Sequence, residues 1–139
     1  MPVIVTDNKL CYSVYNQQTK ILYSTYKGLV INELFSEHMQ NTFKFIKTNK
    51  ILGSVVDFRK LRGSYLKVFK FLEKEAYPRV KKAGFHYLAF VISDDIIIEN
   101  VTLKLMEIIG RVGGIKARIF TNDEKAENWL MGEIKVKDR

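Results

Sequence analysis

Apolar and polar positions alternate most cleanly over residues 20–27, KILYSTYK. Ile21, Tyr23 and Thr25 fall on one side and Leu22, Ser24 and Tyr26 on the other, the period-2 pattern of a strand. Residues 10–16, LCYSVYN, are similarly rich in β-formers, and the polar stretch 16–19 joins the two segments, so the pattern predicts a β-hairpin that stops at Gly28. Residues 3–5 add a short extended lead-in. From residue 31 the period changes. Ile31, Leu34, Phe35, Met39, Thr42, Phe45 and Ile46 recur at helical spacing, which predicts a helix over 31–49 with Asn32 as its cap.

A short apolar run over 51–58 reads as a buried strand. Ser64 then opens a helix over 65–83 that Gly84 stops, and Pro78 predicts a kink or break near residues 75–77, because its ring removes a donor and clashes with the preceding turn. The run 87–92, YLAFVI, is the next strand and residues 99–112 the next helix, ended by Gly113 and Gly114. Residues 116–120 alternate as a strand. Thr121 and Glu124 match a capping box ahead of a last helix over 123–131, which buries Ala126, Trp129 and Leu130. Residues 132–139 are polar and basic and read as a frayed tail.

The predicted order is ββαβαβαβα. Single helices between successive strands favour parallel pairing with right-handed crossovers, and a run such as YLAFVI suits a strand covered on both faces. The fold class is therefore α/β: one mixed, mostly parallel sheet of about five strands, with an antiparallel hairpin strand at an edge and helices packed on it. At 139 residues this is one domain, 1–139.

Composition narrows the function classes. Apolar residues are 47% and charged residues 27%, ordinary for a globular chain. No apolar run reaches the roughly 20 residues that cross a bilayer, and no signal-peptide pattern is evident, so the expectation is a cytoplasmic, non-transmembrane protein. Cys11 is the single cysteine. Lys and Arg outnumber Asp and Glu by 23 to 15, a net charge of +8 that favours acidic partners.

The segments "YSTYKGLVINELF", "VVDFRKL", "YPRVKKAGF", "LAFVIS" and "FTNDEKAENWL" resemble the STAS, or sporulation-antagonist-like, group of small bacterial domains, in its stand-alone branch. The likeness runs from about residue 10 to 131. It implies a regulator that binds a partner protein; some members bind nucleotides or lipids. In the anti-sigma-factor antagonists of that group a strand leads to an Asp-Ser-Ser-Gly-type turn whose serine is phosphorylated. Here Phe58 and Arg59 follow Asp57, and the first serine, Ser64, comes after Gly63. Departing from that turn, Ser64 reads as a helix cap.

The residues offer two candidate surfaces. Asp57 and Arg59 lie two apart and share a side of the strand, at the strand end where open α/β sheets bind ligands. With Arg62 and Ser64 they form the candidate binding site, an anion site oriented by Asp57 or, in the plainer reading, a loop tied to a neighbouring helix. On an ideal helix Lys67, Lys70, Lys74 and Lys81 fall within about 60° of one another, a basic surface with Phe71 beside it. Val68, Leu72, Ala76 and Val80 lie on a different side. His38 and His86 are too far apart, with one cysteine, to suggest a zinc site, and Gly110, Gly113 and Gly114 lie at a helix C-terminus, not at the N-terminus phosphates prefer. No cofactor is implied, and no acid, base or nucleophile pair is recognisable. Tyr12, Tyr15, Tyr23 and Tyr26 load the hairpin and either cover one sheet face or pack on a second copy in a homodimer. The leading expectation is a non-enzymatic regulatory or binding domain acting through a protein partner. The alternatives are a carrier or sensor of a small apolar or lipid-like ligand, held between the helices over 31–49 and 64–83, and a nucleic-acid-binding accessory protein.

Overall fold

A computed structural model describes residues 2–137. Its six strands are β1 (Pro2–Asp7), β2 (Cys11–Asn16), β3 (Ile21–Gly28), β4 (Gly53–Leu61), β5 (Tyr87–Val91) and β6 (Lys116–Phe120), and they lie side by side in chain order in one sheet. β1–β2 and β2–β3 pair antiparallel; β3–β4, β4–β5 and β5–β6 pair parallel. The architecture is thus α/β with one mixed sheet. The expected five strands become six because the lead-in is a full strand: Pro2–Asp7 pairs along β2, with a register shift between Ile4 and Thr6.

The alternation in β3 sorts its side chains as the sequence predicts. Leu22 and Tyr26 face a large core built with α1 (Asn32–Phe45), the broken helical segment 66–82 and α4 (Ile96–Val112). Ile21 and Tyr23 face the opposite side, where α5 (Asp123–Lys137) packs Ala126, Leu130 and Ile134 against Val55, Ala89 and Val91. Three layers result: helices, sheet, and one helix on the far face. β5 is buried on both faces, as YLAFVI requires: Phe90 belongs to one core and Ala89 and Val91 to the other.

The segment 66–82 breaks where the sequence places its weak point. A 3-10 turn (Leu66–Val68) leads into α2 (Phe69–Phe71), then a π turn (Leu72–Ala76), then α3 (Tyr77–Lys82). Pro78 cannot donate to the carbonyl of Lys74, and its ring would strike that carbonyl in a regular helix. Widening to a π turn just before it relieves both problems. Val68, Leu72, Ala76 and Val80 all stay buried.

Three helices have ends that differ from expectation. α1 stops at Phe45, and its cap position is Ile31, not Asn32, with no side-chain cap bond. α4 begins three residues early because Asp95 Oδ1 accepts from the amides of Ile97 and Ile98 at 2.9 and 3.1 Å. α5 is opened by Asn122, whose Oδ1 accepts from the Lys125 amide at 3.1 Å, instead of by Thr121. α5 then continues to Lys137, with Ile134 buried, so residues 132–137 are helical and not a frayed tail. Residues 138 and 139, the rest of that expected tail, lie outside the described residues.

Candidate functional site

Three parallel connections leave the sheet at one end: residues 29–31 after β3, 62–65 after β4 and 92–95 after β5. The β1–β2 turn joins them there, since the Lys27 amide donates to the carbonyl of Leu10 at 2.9 Å. The β3 and β4 connections touch. The Arg62 amide donates to the Gly28 carbonyl at 2.9 Å, and Gly63, at φ +72°, lies so close to Leu29 that a Cβ there would sit 3.0 Å from its side chain.

Asp57 and Arg59 do meet. Asp57 Oδ1 accepts from the Arg59 amide and from Nε, both at 3.0 Å, and Oδ2 accepts from Nη2 at 2.7 Å. The same Nη2 reaches Asp123 Oδ2 at 3.5 Å in the first turn of α5. A bulge makes the clamp. Thr25 pairs with Asp57 but Lys27 with Lys60, so β4 spends one more residue than β3 over this stretch. Burial alone would push the Asp57 carboxyl up; the hydrogen bonds and charge of Arg59, helped by Lys60, bring it below the ordinary value. The pair therefore ties β4 to α5, and Arg59 also borders the surface beside it.

That surface is a concavity of about 1040 Å³ bordered by Lys9, Lys27, Arg59, Lys60, Arg62 and the Ser93–Asp94–Asp95 turn. Lys9, Lys27, Lys60 and Arg62 are exposed, and among the described residues none forms an ion pair. Lys27 and Lys60 are register partners on adjacent strands, an arrangement of like charges that costs stability. Large apolar side chains stand exposed in or just after these connections: Leu29 and Ile31 after β3, Leu66 at the start of the 3-10 turn, Ile96 and Ile97 in the first turn of α4.

The other expected residues scatter. Ser64 is exposed and its Oγ accepts from the Leu66 amide at 3.2 Å, opening the 3-10 turn. Lys67, Lys70 and Lys74 are exposed. Lys81 is not part of that basic surface: its Nζ donates to the carbonyls of Val112 and Gly113, at 3.3 and 3.1 Å, and so caps α4. The ideal-helix phasing fails for it because a 3-10 and a π turn intervene. Phe71 is half-buried against Phe35 and Phe43, not exposed among lysines.

His38 is buried, its Nδ1 hydrogen-bonded to Thr6 Oγ1 at 2.7 Å, and burial lowers its pKa to about 4. His86 Nδ1 bonds the Gly114 carbonyl at 3.0 Å. Burial pushes the Cys11 thiol up to about 12, so it is inert at neutral pH. Tyr15 and Tyr26 are buried, whereas Tyr12 is exposed and Tyr23 donates to Glu127 at 2.7 Å. Among the described residues no three His, Cys, Asp or Glu side chains group to hold a metal, and no helix is long and apolar enough to cross a membrane.

No protein-family model matches the chain, and no curated protein matches it. Sequence reasoning reached Asp57, Arg59 and Arg62 but missed Lys9, Lys27, Lys60 and the apolar residues around them. The available signal was positional: charged and apolar residues directly after parallel strands converge at one sheet end.

Proposed function

We propose that this chain is a non-enzymatic regulatory or binding domain, of the STAS-like kind its sequence resembles, that recognises an acidic protein partner in the cytoplasm through the strand-end face. The observation that carries the reading is the set Lys9, Lys27, Lys60 and Arg62, unpaired among the described residues and gathered on one concavity at the sheet end where exposed Leu29, Ile31, Leu66, Ile96 and Ile97 follow the strands. Crowded like charges and exposed branched apolar groups both cost a folded protein something, and both costs fall when a complementary surface covers them. A basic patch attracts an acidic surface and steers its approach, and exposed apolar side chains at the same sheet end can be covered by the same partner.

An acidic protein suits the face better than nucleic acid does. Asp94 and Asp95 border the same concavity and would repel a uniform phosphate backbone. A protein can place its own cations opposite them.

The test is capture of partners on the immobilised domain, followed by titration of the recovered protein, remade pure, and of a random DNA or RNA oligomer. Lys60→Glu with Arg62→Glu should weaken the protein complex at least about tenfold. Lys135→Glu, at the opposite end of the sheet beside the β2–β3 turn, should leave it unchanged. Tight binding of the oligomer alone, with a steep loss in salt, would replace this reading with the nucleic-acid one.

A further inference from the structure

A separate recess of about 100 Å³, half open to the outside, reaches into the larger core between β3–β5, α1 and the broken segment 66–82. Protein interiors pack closely and leave few voids larger than a water molecule, so a space of this size in a 139-residue chain calls for an account. Its walls are mostly apolar and aromatic, with Phe35, Met39, Leu72 and Leu88 among them, and no Lys, Arg, Asp or Glu lines it.

One polar group in that wall is unusual. Tyr77 is 8% exposed and lines the cavity. Among the described residues its hydroxyl has no hydrogen-bond partner, whereas Tyr15, Tyr23 and Tyr65 bond Lys50, Glu127 and Thr102. Among the described residues Thr19 Oγ1 is the only fully sealed, unpaired side-chain polar atom, so the Tyr77 hydroxyl stays within reach of a small molecule. Tyr26 and Tyr65 line the same cavity and lie near enough to Tyr77 to interact with it electrostatically. A hydroxyl at an apolar recess can give one directional hydrogen bond to a molecule that enters it.

We propose that the cavity is a binding site for a small, neutral, largely apolar molecule with a single hydrogen-bonding end, which the Tyr77 hydroxyl receives. Size sets the class. An apolar cavity of roughly 150 Å³ in another protein takes benzene or xenon; a recess of about 100 Å³ that is half open suits a small ring or a short branched chain whose polar end lies toward the opening. Charge sets the rest: no cation or carboxylate stands there to pair with an ion, and an unpaired buried charge is prohibitive. His38, in the same wall, is neutral at pH 7. The 3-10 and π turns supply Val68, Leu72 and Ala76 to the lining, so the wall contains the least regular helix of the fold. π turns recur at functional sites.

The proposal does not depend on the strand-end face, and one experiment separates them. Phenol, benzene and xenon are titrated into the protein while methyl NMR follows Met39, Leu72 and Leu88. We expect saturable shifts confined to these methyls, with phenol binding about three- to ten-fold tighter than benzene, the increment of one hydrogen bond. Tyr77→Phe should abolish the preference and leave benzene binding intact. Ala76→Leu, which fills the space, should abolish binding of all three probes in a protein that still melts cooperatively. Lys60→Glu with Arg62→Glu should change none of this. Absence of saturable shifts with every probe would overturn the proposal, as would shifts that persist in Ala76→Leu. A phenol preference retained in Tyr77→Phe would overturn the role of the hydroxyl.

Discussion

His38 is a buried group whose physics sets a pH dependence. Its ring is 3% exposed and its pKa falls from 6.5 to about 4 because burial penalises the cation. Thr6 bonds the ring and the edge of Tyr26 faces it; neither titrates between pH 4 and 7. In that window the unfolded chain binds the proton and the folded chain does not, so stability is full above about pH 6.5 and declines as pH falls towards about 4. The full loss is about 3 kcal/mol, from roughly 2.5 units at about 1.4 kcal/mol each. Urea titrations at pH 7 and pH 4 measure it: His38→Gln should lose less stability between those values than the wild type does, and an equal loss would contradict the assignment. Gly53 is a steric case. A Cβ there would lie 2.9 Å from the Tyr87 carbonyl and 3.1 Å from a Leu130 methyl. Gly53→Ala should therefore destabilise by about 1–3 kcal/mol, read from the urea midpoint.

At the scale of elements, the helix ends are the sharpest test. Asp95 and Asn122, and not Thr121, accept the first-turn amides of α4 and α5. Asp95→Ala and Asn122→Ala should each cost about 1 kcal/mol, while Thr121→Ala should be nearly neutral; a costly Thr121→Ala would restore the capping box. Legibility followed periodicity. The hairpin, β6 and the break before Pro78 were readable because each follows from an alternating pattern or from one residue's covalent chemistry. The start of α4 was not, because Ile96, Ile97 and Ile98 form a branched apolar run with no polar phase to mark a helix. β1 was underestimated for a related reason: Ile4 is 58% exposed, so its strand shows little of the burial pattern that reading relies on.

The whole molecule places its chemistry by topology. Parallel strands deliver the β3, β4 and β5 connections to one end, and residues 27, 29, 60, 62 and 96 all lie at that end although up to 69 positions separate them. A rule about strand ends found Asp57, Arg59 and Arg62. It could not tell that Arg59 would be clamped between Asp57 and Asp123, nor that Lys27 and Lys60 would stand side by side, because that depends on a bulge. The cavity's location between two helices was readable from their apolar faces. Its size, and the approach of Tyr26, Tyr65 and Tyr77, depend on packing that no local pattern encodes.

The measurement that bears most directly on the strand-end face is in-cell photocrosslinking from position 66, the exposed leucine that follows the β4 connection, compared with position 135 at the far end of the sheet. A discrete protein adduct should form from position 66 alone and disappear when Lys60→Glu and Arg62→Glu are added. Equal adducts from both positions, or an adduct indifferent to the charge reversal, would contradict the account.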